Sequence, residues 1–207
     1  MLLLVGLGNP GPGHAKNRHN VGYMAVDEVV RRHSFGPWRR RFHGSVSEGR
    51  LAGRRVIVLK PETYMNRSGQ SVATALRYYR LEPEKTIVIH DEIDLPPGKV
   101  RVKKGGGNAG HKGLRSIDSH VGRDYRRVRI GVGHPGVPDV VGDYVLHDFS
   151  KADQTWVEET TAAIADAIEV LALGDLPGFM NKVSLATQPP KPPKPKRPPP
   201  DSHASEQ

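Results

Sequence analysis

The sequence contains no cysteine. This absence excludes disulfides, thiolate metal sites and a cysteine nucleophile. No apolar run approaches the roughly 18 residues that a membrane helix requires. The start, MLLLVGLGNPGPG, has no basic segment and breaks into glycine and proline after a few apolar residues, so we expect no signal peptide. A cytoplasmic location is therefore the default expectation.

Acidic residues are also fewer than basic ones, 22 against 31, which gives a formal net charge of +9. The segment 188–207 carries four basic and two acidic residues, so most of the net charge belongs to residues 1–187. A basic domain suits a polyanionic partner, most often nucleic acid. A solvated basic surface without such a partner has the same composition, and charge alone does not separate the two.

Apolar runs and helical periodicity alternate along the chain. Strands are predicted at 2–5, 54–61, 86–90, 99–104 and 126–133, and helices at 21–32, 71–79, 114–121 and 151–173. Residues 134–149 contain proline and glycine and are expected to form an irregular connection. The alternation predicts one α/β domain over 1–187, with helices on both faces of a sheet. The proline-rich run that begins near 188 cannot form a packed element, so 188–207 is predicted to be a disordered tail.

Polar side chains follow several of these predicted strands. In an α/β sheet, ligands bind beyond the carboxyl ends of the parallel strands. The residues found at those positions are Asn9, Met65, Asn66, Asp91 and His134. The topology therefore predicts a site at this edge of the sheet.

The first strand runs into VGLGNPG, whose Gly6, Gly8 and Gly11 have the spacing of a dinucleotide fingerprint. That motif requires a helix to open at its third glycine and an acid at the end of the second strand. Helical periodicity begins only near Val21, and the strand at 54–61 ends on proline without a carboxylate. The pattern argues against nucleotide binding.

The sequence has no G-x-S-x-G nucleophile motif and no H-E-x-x-H zinc motif. His19 in a loop and Asp91 at a strand end remain as candidates for chemistry. A neutral imidazole takes a proton from water when a carboxylate fixes its tautomer and stabilises the imidazolium. Such a pair suits direct attack of water on an activated ester, although a lone histidine is more often structural.

Three further features have two interpretations each. Asp91, Glu92 and Asp94 could hold a hard cation, but neighbouring strand residues point to opposite faces. The glycine loop 105–113 could be a mobile lid or a flexible surface turn. Arg127 and Arg129 share a strand face and could grip a phosphate or simply be solvated.

Several segments together resemble the bacterial peptidyl-tRNA hydrolase family. They are VGLGNPG (5–11), NRHNVG (17–22), KPETYMNRSG (60–69), HDEIDLPPG (90–98), KKGGGNAGHKGLRSI (103–117), RVRIGVGHPG (127–136) and FMNKV (179–183). The resemblance covers residues 1 to about 183 in matching order and spacing. It implies a single α/β domain with a central mixed, mostly parallel twisted sheet flanked by helices.

The resemblance also implies a function. The family cleaves the ester between a peptide and the 3′-terminal ribose of tRNA, which recycles tRNA during translation. It acts without a metal or other cofactor and as a monomer. The expected partner is thus the acceptor stem and 3′ end of peptidyl-tRNA, with no membrane involved.

Residue roles follow from the matching motifs. By resemblance, His19 is the general base and Asp91 orients it. Asn9 and Asn66 position substrate and water, and Met65 lines the peptide channel. His111 lies in the loop over the site, and Lys103 with Arg129 clamps the terminal phosphate of the tRNA.

Two positions depart from the family pattern. His14 stands where the family usually has tyrosine, and Lys112 where it usually has asparagine; both are expected near the substrate. An ammonium only donates hydrogen bonds, whereas an amide both donates and accepts. The sequence therefore leaves open an RNA-binding relative of the same fold with weakened catalysis.

Overall fold

The computed structural model describes residues 1–188. Its seven strands are β1 (Leu2–Gly6), β2 (Arg39–Arg41), β3 (Gly44–Leu51), β4 (Arg54–Pro61), β5 (Thr86–Glu92), β6 (Val100–Lys104) and β7 (Arg126–Gly131). Within the same range lie the helices α1 (Val21–Arg32), α2 (Ser68–Tyr79), α3 (Lys112–Val121), α4 (Val141–Leu146), α5 (Gln154–Leu173) and α6 (Leu176–Ala186). The tail predicted at 188–207 falls outside the described residues except for Gln188.

All seven strands form one sheet in the order β2-β3-β4-β1-β5-β7-β6. The four central strands β4, β1, β5 and β7 are parallel. The outer strands β3 and β6 run antiparallel to their inner neighbours, and β2 runs antiparallel to β3. The predicted α/β domain with a mixed sheet and a parallel centre is confirmed.

Alternate side chains of β1 enter two separate cores. Leu2 and Leu4 belong to the core that includes α1 and α5, and Leu3 and Val5 to the core that includes α2 and α3. A parallel strand with both faces covered is typically apolar along most of its length. This explains why the run LLLV lacks the alternation of a half-exposed strand. Among the described helices, none is both long and apolar enough to cross a membrane.

Gly6 at the end of β1 and Gly22 in the first turn of α1 allow the helix to pack directly on the sheet backbone. A Cβ on Gly6 would overlap the carbonyl oxygen of Gly22, and a Cβ on Gly22 would overlap the carbonyl oxygen of Ile89. The helix begins at Val21, as predicted, well after the third glycine of the apparent fingerprint. Close packing against α1 accounts for Gly6 and Gly8 without a nucleotide, whereas Gly11 has a positive φ of 100° and no close neighbour.

Four elements were absent from the sequence-based prediction. β2 is entirely arginine, and β3 is rich in small and polar residues; its eight-residue ladder with β4 holds it in the sheet. α4 lies inside 134–149, which was predicted to be irregular, and α6 follows a short turn after α5. β7 ends at Gly131 and α5 begins at Gln154, two and three residues inside the predicted bounds.

We predict that Gly22→Ala lowers the free energy of unfolding by at least about 2 kcal/mol, because the new methyl group meets backbone atoms that cannot move aside. Gly13→Ala is the matched control, since a Cβ at that position meets open space. Urea denaturation of both variants measures the difference. Equal stabilities would contradict the close-packing explanation.

Candidate active site

A cleft of about 630 Å³ opens at the carboxyl edge of the central strands. Its walls come from the loops after β1, β4 and β5, the start of α3, and α4. Of the residues predicted to form the site, the cleft is lined by Asn9, His19, Met65, Asn66, Asp91, His111 and Lys112. The edge position predicted from topology is therefore where the structure has its large cleft.

His19 and Asp91 are in direct contact, although 72 residues separate them. The Nδ1 atom of His19 lies 2.8 and 2.9 Å from the two carboxylate oxygens of Asp91. Both side chains are buried. Because a carboxylate oxygen accepts, Nδ1 carries the proton, and Nε2 is left as the basic nitrogen.

His111 gives the same carboxylate a second donor. Its Nε2 lies 3.0 Å from an oxygen of Asp91. Its Nδ1 accepts hydrogen bonds from the backbone N–H groups of Gly113 and Leu114, so that it caps the amino end of α3. These backbone donors fix the tautomer with the proton on Nε2. The sequence predicted His111 near the substrate, and the structure gives it contacts that tie the loop to Asp91.

The Asp91 carboxylate is held in its charged form. Burial by itself raises its pKa, but the adjacent His19 and His111, through charge and hydrogen bonds, hold that pKa well below its usual range. Behind it, burial lowers the pKa of His90 to about 3, so this third histidine is neutral. Its Nδ1 donates to the backbone oxygen of Asp91.

Asn9 is anchored by a residue that the sequence reasoning did not single out. The backbone N–H of Asn9 donates to Asn20 Oδ1 and its carbonyl accepts from Asn20 Nδ2, both at 2.9 Å. The Oδ1 atom of Asn9 accepts from the backbone N–H of Met65, also at 2.9 Å. These bonds leave the Nδ2 donor of Asn9 for a ligand in the cleft. Asn20 follows His19 directly in the segment NRHNVG. Its place in this motif was the sequence signal that could have identified it as a site residue.

The similarity of this chain to known proteins establishes its family. The family model described as peptidyl-tRNA hydrolase matches residues 3–192. The chain belongs to the peptidyl-tRNA hydrolase family. A curated family member from Cereibacter sphaeroides (strain ATCC 17025) is 60% identical over 191 residues, which cover 92% of this chain and 85% of that protein. One from Bradyrhizobium diazoefficiens is 58% identical over 188 residues, covering 91% and 94%.

A solved structure of the family has the same fold. The crystal structure of peptidyl-tRNA hydrolase from Acinetobacter baumannii matches with a TM-score of 0.84 and 38% sequence identity. The match covers 88% of this chain and 94% of that one. The family resemblance read from the sequence motifs is confirmed.

The two positions that depart from the family pattern lie in different surroundings. Lys112 is the first residue of α3; it is exposed and lines the cleft. His14 lies outside the lining, where its Nδ1 is 2.9 Å from Asn17 Oδ1. Asn17 in turn donates to Asp148 at 2.8 Å. Of the two, Lys112 is the one placed to meet a ligand in the cleft.

The sequence argued against a cation cage of Asp91, Glu92 and Asp94, and in the structure Asp91 and Glu92 have different partners. Asp91 faces the two histidines, while Glu92 accepts from Arg129 Nε at 2.9 Å and from the backbone N–H of Asp94. Within residues 1–188, the cluster with metal-ligand spacing is His19, Asp91 and His111, whose ligand atoms lie within 4.8 Å of one another. In this cluster the Asp91 carboxylate accepts hydrogen bonds from His19 Nδ1 and His111 Nε2. Metal-free chemistry remains a prediction.

The expectation that Arg127 and Arg129 together face a phosphate or solvent is wrong for Arg127. Arg127 is completely buried and donates to the carbonyls of Gly106 and Gly107 and to Asp118. It therefore ties the base of the glycine loop to α3. Arg129 is partly exposed and shares its strand face with Lys103 by the register of β6 and β7. Both lie outside the cleft lining.

We predict that His111→Asn is more stable than His111→Ala by about 1 kcal/mol, because asparagine also caps a helix whereas alanine does not. Both substitutions remove the donor to the buried Asp91 carboxylate, so both lower stability relative to the unmodified chain. Chemical denaturation of the three proteins measures these differences. Equal stability of the two variants would show that His111 does not act as the cap.

Proposed function

We propose that this chain hydrolyses the ester between the peptide and the 3′-terminal ribose of peptidyl-tRNA, with His19 as general base. The proposal rests on the His19–Asp91 pair, in which Nδ1 of His19 is hydrogen-bonded to the Asp91 carboxylate. The pair lies in the cleft of a chain that belongs to the peptidyl-tRNA hydrolase family. Asp91 is kept ionised by two histidine donors, so it is ready to stabilise positive charge on His19.

The proposed reaction has two steps. In the first, Nε2 of His19 takes a proton from water while the water oxygen attacks the ester carbonyl carbon, which gives a tetrahedral oxyanion and an imidazolium. In the second, the carbon–oxygen bond to the ribose breaks, and the imidazolium returns its proton to the leaving ribose oxygen. Peptide and free tRNA result, and His19 regains its neutral form. Positioned proton transfer of this kind contributes about 10²- to 10⁴-fold to the rate.

The cleft offers groups suited to both parts of the substrate. Asn9 Nδ2 and the exposed amide of Asn66 are placed to hydrogen-bond a carbonyl or the attacking water. Met65, Ile93 and Val145 supply apolar walls suited to peptide side chains. Outside the lining, Lys103 and Arg129 share one strand face, which supports a role in holding the phosphate of the tRNA end.

We predict that the purified protein releases free tRNA from an N-blocked aminoacyl-tRNA and that EDTA does not slow this release. His19→Ala should reduce the rate by at least about 100-fold, because the variant has no general base. tRNA binding should persist in this variant, since the cations are unchanged. Rates by acid-precipitation assay and affinities by filter binding measure both effects.

Loss of activity in EDTA would contradict the metal-free mechanism and direct attention to His19, Asp91 and His111 as ligands. Binding of tRNA without release by the unmodified protein would favour the alternative, an RNA-binding relative with weakened catalysis. The feature that supports this alternative is Lys112, whose exposed ammonium lines the cleft. If Lys112→Asn releases tRNA faster than the unmodified protein, Lys112 is the residue that weakens catalysis.

We predict that Lys103→Ala weakens tRNA binding and makes it less dependent on salt, because each phosphate contact releases counterions on binding. Lys104→Ala is the matched control, since strand alternation places the two lysines on opposite faces of β6. The readout is the slope of log affinity against log salt concentration. Equal slopes for the two variants would remove Lys103 from the tRNA-facing surface.

A further inference from the structure

The sheet ends on an arginine-rich strand on the side away from Lys103 and Arg129. The strand β2 consists of Arg39, Arg40 and Arg41, all exposed, and pairs with β3 alone. β2 lies four strand positions from β5, which carries Asp91, and β7 lies on the other side of β5. At about 4.8 Å per strand, β2 is about 19 Å from the catalytic strand.

Aromatic rings accompany these arginines. The guanidinium of Arg41 lies 4.1 Å from the ring centre of Tyr78 and 4.7 Å from that of Phe42. Tyr78 is 57% exposed and packs at 5.3 Å from Phe42 and edge-on at 5.0 Å from Tyr79. We name this surface, formed by Arg39, Arg40, Arg41, Phe42 and Tyr78, the arginine edge.

Little negative charge neutralises the arginine edge. Arg40 is 3.4 Å from Glu62 while its side chain is 90% exposed, and an ion pair this open to water contributes little. Within residues 1–188, no carboxylate lies within ion-pair distance of Arg39 or Arg41. The adjacent last turn of α2 adds Arg77 and, just beyond it, Arg80, both exposed.

We propose that the arginine edge is a second RNA-binding surface, separate from the catalytic cleft, that takes single-stranded RNA. An exposed ring with a guanidinium against it offers a base a stacking platform, and flanking arginines bind the phosphates on either side. Exposed arginines along one edge strand fit a linear polyanion. The arginine edge and the strands of Lys103 and Arg129 lie on opposite sides of the sheet. An RNA end bound in the cleft therefore leaves the arginine edge free for a second RNA segment.

The test is binding of a fluorescent 12-nucleotide oligo(A), which contains no ester and so does not depend on the proposed hydrolysis. Tyr78→Leu should weaken binding about fivefold or more, because it removes the stacking face, and Tyr78→Phe should retain binding. Arg39→Gln with Arg41→Gln should flatten the salt slope by about 1.4, at about 0.7 for each phosphate that the double variant no longer neutralises. Thermal unfolding checks that each variant remains folded.

Arg50→Gln is the matched control, because Arg50 is an exposed arginine near the far end of β3 whose guanidinium donates to Gly53 O. This control and all the edge variants should release tRNA from an acylated acceptor-stem minihelix at the unmodified rate. Unchanged oligo(A) binding in the edge variants would overturn the proposal, as would abolition of that binding in Lys103→Ala alone. Binding to phosphatidylserine vesicles without binding to RNA would overturn it in favour of a membrane-facing surface.

Discussion

The hydrogen bonds that compensate the buried charge of Asp91 are the interactions on which the site depends. A charge removed from water has to be compensated by hydrogen bonds and opposite charge, and Asp91 receives these from His19 and His111. The same bonds fix the proton on Nδ1 of one ring and on Nε2 of the other. One residue thus joins the loop before α1, the end of β5 and the amino end of α3. The basic nitrogen of His19 and the tie to the glycine loop are consequences of satisfying one buried charge.

Backbone packing makes that contact possible. Gly22 lets α1 lie directly against β1 and the carbonyl of Ile89, so the residues just before the helix reach the end of β5. Asn20 then fastens the loop after β1, and Asn9 fastens the loop after β4 through Met65. The site is a set of loops tied to one another by side-chain hydrogen bonds, on a sheet whose parallel strands all end at the same edge. This arrangement fixes the positions of the cleft side chains relative to one another.

Much of the fold could be predicted because its central strands are buried on both faces. Runs such as LLLV (2–5) and IVI (87–89) are apolar throughout, and α1 shows its buried stripe in sequence. β2 and β3 could not be found in the same way, because their arginine, serine and glycine residues carry no hydrophobic pattern. Pairing with β4 brings β3 into the sheet, and β2 then pairs with β3. A strand that depends on its neighbour's backbone leaves little signal in its own side chains.

The sequence by itself determined the α/β class, the family and the residue types available for chemistry, because burial patterns and motif spacing are local. Only the tertiary structure decided which of these residues meet. It joined His19 to Asp91 and gave Asp91 a second donor in His111. It also buried Arg127 against Asp118 and the glycine loop, while Arg129 on the same strand face stays partly open. Two arginines with identical local patterns differ because burial is set by the elements packed over them, and that packing involves residues distant in the chain.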